Sequence, residues 1–98
     1  MVTPHIETLC EALAQVLVAR KMSMVTAESC TGGLIAASCT QLPGSSVWFE
    51  RGFVTYSNAA KTESLGVPSS LIEANGAVSE EVAKAMALGC FSPFTCSC

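Results

Sequence analysis

Aspartate is missing from this 98-residue chain, and histidine occurs once, as His5 near the amino terminus. All eight acidic residues are glutamates, so carboxylate-pair and metal chemistry has few donors to draw on. Basic residues are equally sparse. The five cations Arg20, Lys21, Arg51, Lys61 and Lys84 form no cluster and the net charge is −3, which argues against a nucleic-acid-binding face. No apolar run is long enough to cross a bilayer. The start of the chain lacks the basic and apolar stretches of a secretion signal. A cytoplasmic location is therefore expected, with the six cysteines reduced. Their spacing agrees: Cys10, Cys30 and Cys39 are scattered, and Cys90, Cys96 and Cys98 match no zinc-ligand pattern, so they read as small buried or incidental thiols. Two phosphate-binding signatures are also lacking. No Gly-Lys-Ser/Thr closes a loop, and the Gly-x-Gly-x-x-Gly spacing is absent.

Half of the residues are hydrophobic and 13% are charged, enough apolar content for one small folded domain. Thr3-Pro4 opens a helix, with Thr3 as cap and Pro4 in its first turn. Ile6, Leu9, Leu13, Val16 and Leu17 recur at helical spacing and predict its apolar face. A strand is expected from about Met22 to Ala27, and a small-residue helix from Leu34 to Leu42 that stops before the Pro43-Gly44 turn. Trp48 and Phe49 read as packing residues. Arg51 to Tyr56 predicts a second strand. Short helices are expected over 59–65, closed by Gly66, and from about Pro68 to a left-handed stop at Asn75-Gly76. Ser79 caps a last helix that presents Val82, Ala85, Met86 and Gly89 on one side. Two strands are few for this many helices.

Two stretches carry chemistry. Between the first strand and the second helix lie Glu28, Ser29, Cys30, Thr31, Gly32 and Gly33. Unpaired amides at a helix start attract anions, and glycines allow close approach, so the loop reads as a phosphate-sized cradle. It reads equally well as a plain strand-to-helix turn. The second stretch holds Ser45, Ser46, Tyr56 and Lys61. A serine hydroxyl becomes a nucleophile when a base takes its proton, and a neutral lysine can be that base. Tyrosine can relay the proton. Taken alone, these residues at loose spacing read more readily as a solvated lysine with turn serines. Cys30, at a helix start, is the rival nucleophile.

The order Thr26-Ala-Glu-Ser-Cys-Thr-Gly-Gly33, Leu42-Pro-Gly-Ser-Ser46, Trp48 to Asn58, Lys61 and Gly76-Ala-Val-Ser79 closely resembles the CinA carboxy-terminal domain family of bacterial nicotinamide mononucleotide deamidases, also described as competence- and damage-inducible proteins. The resemblance implies an α/β fold, a three-layer α/β/α sandwich. It implies an amidohydrolase that turns nicotinamide mononucleotide and water into nicotinic acid mononucleotide and ammonia, with neither metal nor organic cofactor. It maps the nucleophile onto Ser46, with Ser45 as fallback, and the other catalytic groups onto Tyr56 and Lys61. Glu28, Ser29, Cys30, Thr31, Gly32, Gly33, Ser45 and Asn58 become the expected substrate contacts.

The resemblance covers residues 1–89, and residues 90–98 read as a tail without family counterpart, as from an altered reading frame. The family domain continues for several tens of residues with more strands and a further glycine-rich substrate loop. With that part of the shell absent, activity is expected to fall steeply. The alternative expectation is an inactive remnant, a weak nucleotide-binding module or a competence-associated role. A homo-oligomer is a further expectation, as one way to cover exposed surface.

Overall fold

The computed structural model describes residues 3–91. Helix α1 spans Pro4–Ala19, and it begins where the sequence places it. The Thr3 hydroxyl accepts the Ile6 N–H at 3.3 Å, and Pro4 occupies the first turn, where no amide is needed. Its buried side departs from expectation. Cys10 and Leu17 are buried, with Ile6 and Ala14 partly buried beside them, whereas Leu9, Leu13 and Val16 are exposed. The apolar arc of α1 is broader than the surface the described residues lay against it, and the small residues Cys10 and Ala14 allow the closer approach.

Strand β1 is Met24–Glu28 and strand β2 is Phe49–Val54; they pair in parallel, with Glu28 opposite Val54. Both lie two residues from their expected starts. Met22 belongs to the exit of α1, its N–H donating to the Leu17 carbonyl at 2.9 Å. β2 begins early because Met24 pairs with Phe49. Helix α2, Leu34–Thr40, connects the strands, followed by a 3-10 turn over Ser45–Val47. A parallel pair requires such a crossover.

Three helices follow. α3 is Asn58–Leu65, capped by the Ser57 hydroxyl accepting the Ala60 N–H at 3.0 Å and ended by Gly66 at φ 67°. α4 is Ser69–Asn75. Gly76 after it has φ 86° but ψ 151°, an extended glycine conformation rather than the left-handed stop expected. α5 is Glu80–Gly89, capped by Ser79, whose hydroxyl accepts the Val82 N–H at 3.2 Å.

The layers follow from strand alternation. Val25, Ala27 and Phe53 pack on one cluster, formed by Leu65, Val67, Ile72, Val82, Met86 and Cys90 of the α3–α5 region. On the other face α2 comes close: a Cβ at Gly52 would stand 2.8 Å from Thr26 Oγ1 and 3.3 Å from the Ala36 Cβ. Cys10, Leu17, Cys39 and Trp48 form the second cluster there. Burial pushes the Cys39 thiol up, aided by adjacent Cys10 and by Glu28. This is an α/β/α arrangement around a sheet of two strands among the described residues.

Candidate active site at the carboxyl edge of the sheet

In a parallel sheet flanked by helices, the strand-to-helix loops gather at the carboxyl ends of the strands, where ligands bind. Here both strands end together. The Thr55 N–H, one residue beyond β2, donates to the Glu28 carbonyl at 3.0 Å. Ser29 follows Glu28, and Tyr56 follows Thr55, so the loop Ser29–Gly33 and the segment leading into α3 are neighbours on one edge.

Glu28 organises the first loop. It is 3% exposed, and its carboxylate accepts the Thr31 hydroxyl at 2.5 Å and the amides of Ile35 at 2.9 Å and Ala36 at 3.0 Å. Those amides are the second and third of α2, the donors that a phosphate at this helix start would use. The expected cradle is thus occupied by the chain's own carboxylate. Burial works to raise the Glu28 pKa, but the Thr31 hydroxyl and the Ile35, Ala36 and Gly33 amides together hold it below the usual carboxylate value. The closure bends the backbone between. Cys30 has φ 72°, rare for a residue with a Cβ, and Gly32 and Gly33 have φ 67° and 106°. Ser29 is half-buried on this bend, its Oγ 4.0 Å from the exposed Cys30 Sγ; Thr31 is exposed.

The second segment supplies Tyr56, 77% exposed, exposed Asn58, and Lys61, which is 3% exposed in the second turn of α3. No hydrogen bond or ion pair of the Lys61 ammonium falls among the described residues. Burying a lysine without a carboxylate partner opposes stability, which is why such lysines draw attention as functional groups. Thr55 Oγ1 is also buried and without a partner among the described residues. Asn58 lines a small cleft between α3 and α4 with Thr62, Ser69 and Glu73.

Ser45 and Ser46 lie elsewhere. They occupy the 3-10 turn before β2, at the amino end of the sheet, where the Met24 N–H meets the Trp48 carbonyl at 2.8 Å. Ser46 is exposed, and Ser45 Oγ reaches only the Thr40 carbonyl at 3.4 Å. The six residues of β2 separate this turn from Tyr56. At about 3.3 Å per residue that is roughly 20 Å. The structure therefore brings Ser29 to the edge that holds Tyr56 and the start of α3, and it holds Ser46 at the opposite edge. The sequence contains the signal for this: Ser29 and Tyr56 follow strands, whereas Ser46 precedes one.

Fold and edge together define an α/β protein with a polar site at the carboxyl ends of parallel strands. The family model of the CinA C-terminal domain matches residues 6–98. The chain belongs to that family. A CinA-like protein of Syntrophus aciditrophicus is 58% identical over 83 residues, which are 85% of this chain and 20% of that protein. The nicotinamide-nucleotide amidohydrolase PncC of Enterobacter agglomerans is 68% identical over 63 residues, 64% of this chain and 38% of that one. Among solved structures, the competence/damage inducible protein CihA of Agrobacterium tumefaciens superposes with a TM-score of 0.87 at 43% identity, over 91% of this chain and 54% of that chain. A CinA superfamily protein of Escherichia coli gives 0.84 at 38% identity, over 91% and 53%. The chain thus spans about a fifth of the length of CinA-like relatives and about half of the solved chains.

Proposed function

We propose that this chain carries the nucleophile and base of an amidohydrolase site for nicotinamide mononucleotide, with Ser29 as nucleophile and Tyr56 and Lys61 moving its proton. One observation supports the assignment: the Thr55–Glu28 backbone bond joins the two strand ends, so Ser29, Tyr56 and the start of α3 lie on one edge, with Ser46 in the turn at the other end of β2. The amidohydrolase reading is supported by the name of the Enterobacter agglomerans relative.

Lys61, as base, takes the Ser29 proton through the Tyr56 hydroxyl as Oγ attacks the carboxamide carbon. The tetrahedral intermediate collapses when that proton is returned to the nitrogen, and ammonia leaves. Water, deprotonated by the same base, then attacks the acyl carbon; the bond to Ser29 Oγ breaks, the base returns the proton to that oxygen, and the carboxylic acid leaves. The Ser29–Gly33 bend offers main-chain amides near the reacting oxygen, where fixed donors stabilise developing charge. Glu28 fixes that bend, and Thr31 and the glycines bound it. With the α2 amides already engaged, the nucleotide phosphate binds other groups. Metal and organic cofactor have no part in this scheme, and it belongs to the cytoplasm.

The test is ammonia release from nicotinamide mononucleotide by the chain and by its Ser29→Ala and Ser46→Ala variants. Loss to background in Ser29→Ala with Ser46→Ala unchanged supports the assignment; the reverse pattern returns the role to Ser46. A second reading is favoured by the span of the chain, about half of the solved relatives. In it the chain binds the nucleotide without turning it over. A melting temperature that rises with added nucleotide while no ammonia forms selects that reading.

A further inference from the structure

We infer, resting on the reading of Lys61 as the base, that Thr55 is a positioning residue whose hydroxyl holds the Lys61 amine through one bound water. Thr55 is 1% exposed and Lys61 3%. Neither Thr55 Oγ1 nor the Lys61 amine has a hydrogen-bond partner among the described residues. Buried polar groups left unmatched oppose stability, so native structures pair them with protein or with ordered water.

The two groups lie in one layer. Phe53 packs on the α3–α5 cluster, and Thr55, two residues on, takes the same side of the sheet. Leu65 belongs to that cluster, and Lys61, one turn earlier on α3, shares its face of the helix. The Ser57 carbonyl accepts the Lys61 N–H at 3.2 Å, and Ser57 is two residues from Thr55. Both side chains therefore leave neighbouring stretches of backbone. A helical side chain leans toward the start of its helix, which carries the amine toward the strand end. Glu28 does not compete for it, because its carboxylate is bonded to α2 amides on the opposite face, and Glu63 is exposed. Hydroxyl and amine stand further apart than a direct hydrogen bond, and a bridging water supplies the link. Water and hydroxyl each donate and accept, so the link serves Lys61 with its proton and without it. Thr26 Oγ1 is likewise buried and without a partner among the described residues, but it lies toward Ala36 of α2 and supplies the control.

The test compares the full chain, carrying isotopically labelled lysine, with Thr55→Val, Thr55→Ser and Thr26→Val by NMR. An amine held in one geometry resolves its two ε-methylene protons, whereas a free one averages them. Lys61, assigned by the loss of its signals in Lys61→Met, should show a resolved pair. That pair should merge in Thr55→Val and persist in Thr55→Ser and Thr26→Val. In parallel, kcat for ammonia release from nicotinamide mononucleotide should fall about tenfold to a hundredfold in Thr55→Val with KM little changed. Thr55→Ser should restore it, and Thr26→Val should leave it unchanged. Thr55→Ala repeats the comparison with a smaller side chain, so that a packing fault peculiar to valine is recognised. A Lys61 pair already merged in the unmodified chain, signals unchanged in both Thr55→Val and Thr55→Ala, failure of Thr55→Ser to rescue, or merged signals with unaltered kcat would each overturn the inference. If the unmodified chain releases no ammonia, the amidohydrolase reading fails, and the lysine signals still decide whether Thr55 holds the amine.

Discussion

At the scale of single residues, Glu28 does the most. A carboxylate that receives a hydroxyl and two amides across a five-residue bend cannot be replaced by a neutral group without leaving donors unmatched. Glu28→Ala should lower stability by about 1–3 kcal/mol, read from urea denaturation at neutral pH. The pH dependence has a definite sign. The folded pKa lies below the ordinary one, so the stabilisation is complete above the unfolded value and is lost as pH falls through the folded value. Acid titration of the native chain should therefore show a destabilisation that Glu28→Gln lacks; identical acid profiles would contradict this role. Lys61 should behave in the opposite way. An amine buried without a hydrogen-bond partner among the described residues stabilises little, so Lys61→Met should hold or raise the melting temperature while ammonia release is lost. A drop of several degrees would mark Lys61 as structural. Glu28 could be named as a site residue from the sequence, but its partners could not. Its bonds to amides seven and eight residues away exist only once the strand, bend and helix close on one another.

At the scale of elements, the caps were readable and the packing faces only partly so. Thr3 and Ser79 each accept an amide three residues on, a local geometry that residue type and position largely determine. The face of α1 was not readable, because its apolar arc is wider than one contact surface and periodicity alone ranks Leu9 and Leu13 beside Leu17. Truncation separates them. Leu17→Ala should cost about 2–4 kcal/mol and Leu13→Ala under about 1 kcal/mol, measured by denaturant midpoints; equal costs would contradict the observed face. The α3–α5 packing offers a sharper case. A Cβ at Gly89 would lie 2.0 Å from the Leu65 carbonyl oxygen, so Gly89→Ala must push α5 from α3. A loss of about 1–3 kcal/mol or more is expected, visible as a lower melting temperature. Sequence placed Gly89 on the buried side of its helix, but the backbone contact behind it is tertiary.

At the scale of the whole molecule, strand direction decides which residues can act together. A helix joining two parallel strands sends every strand-to-helix loop to one edge and every helix-to-strand loop to the other. Family, fold class and most elements were legible because the motifs are long and because α1, α3 and α5 carry hydroxyl caps. The order of elements already carries the edge of each serine, Ser29 after β1 and Ser46 before β2, whereas the Pro-Gly-Ser-Ser turn and the family resemblance point to Ser46. Among the described residues the surface is open along α1 and at both sheet edges. The central claim is that the activated hydroxyl belongs to the carboxyl edge. The most direct measurement is mass-spectrometric mapping of the serine labelled by a serine-directed fluorophosphonate, with Lys61→Met in parallel. The account predicts modification of Ser29, suppressed by Lys61→Met; modification of Ser46 with Ser29 untouched would contradict it.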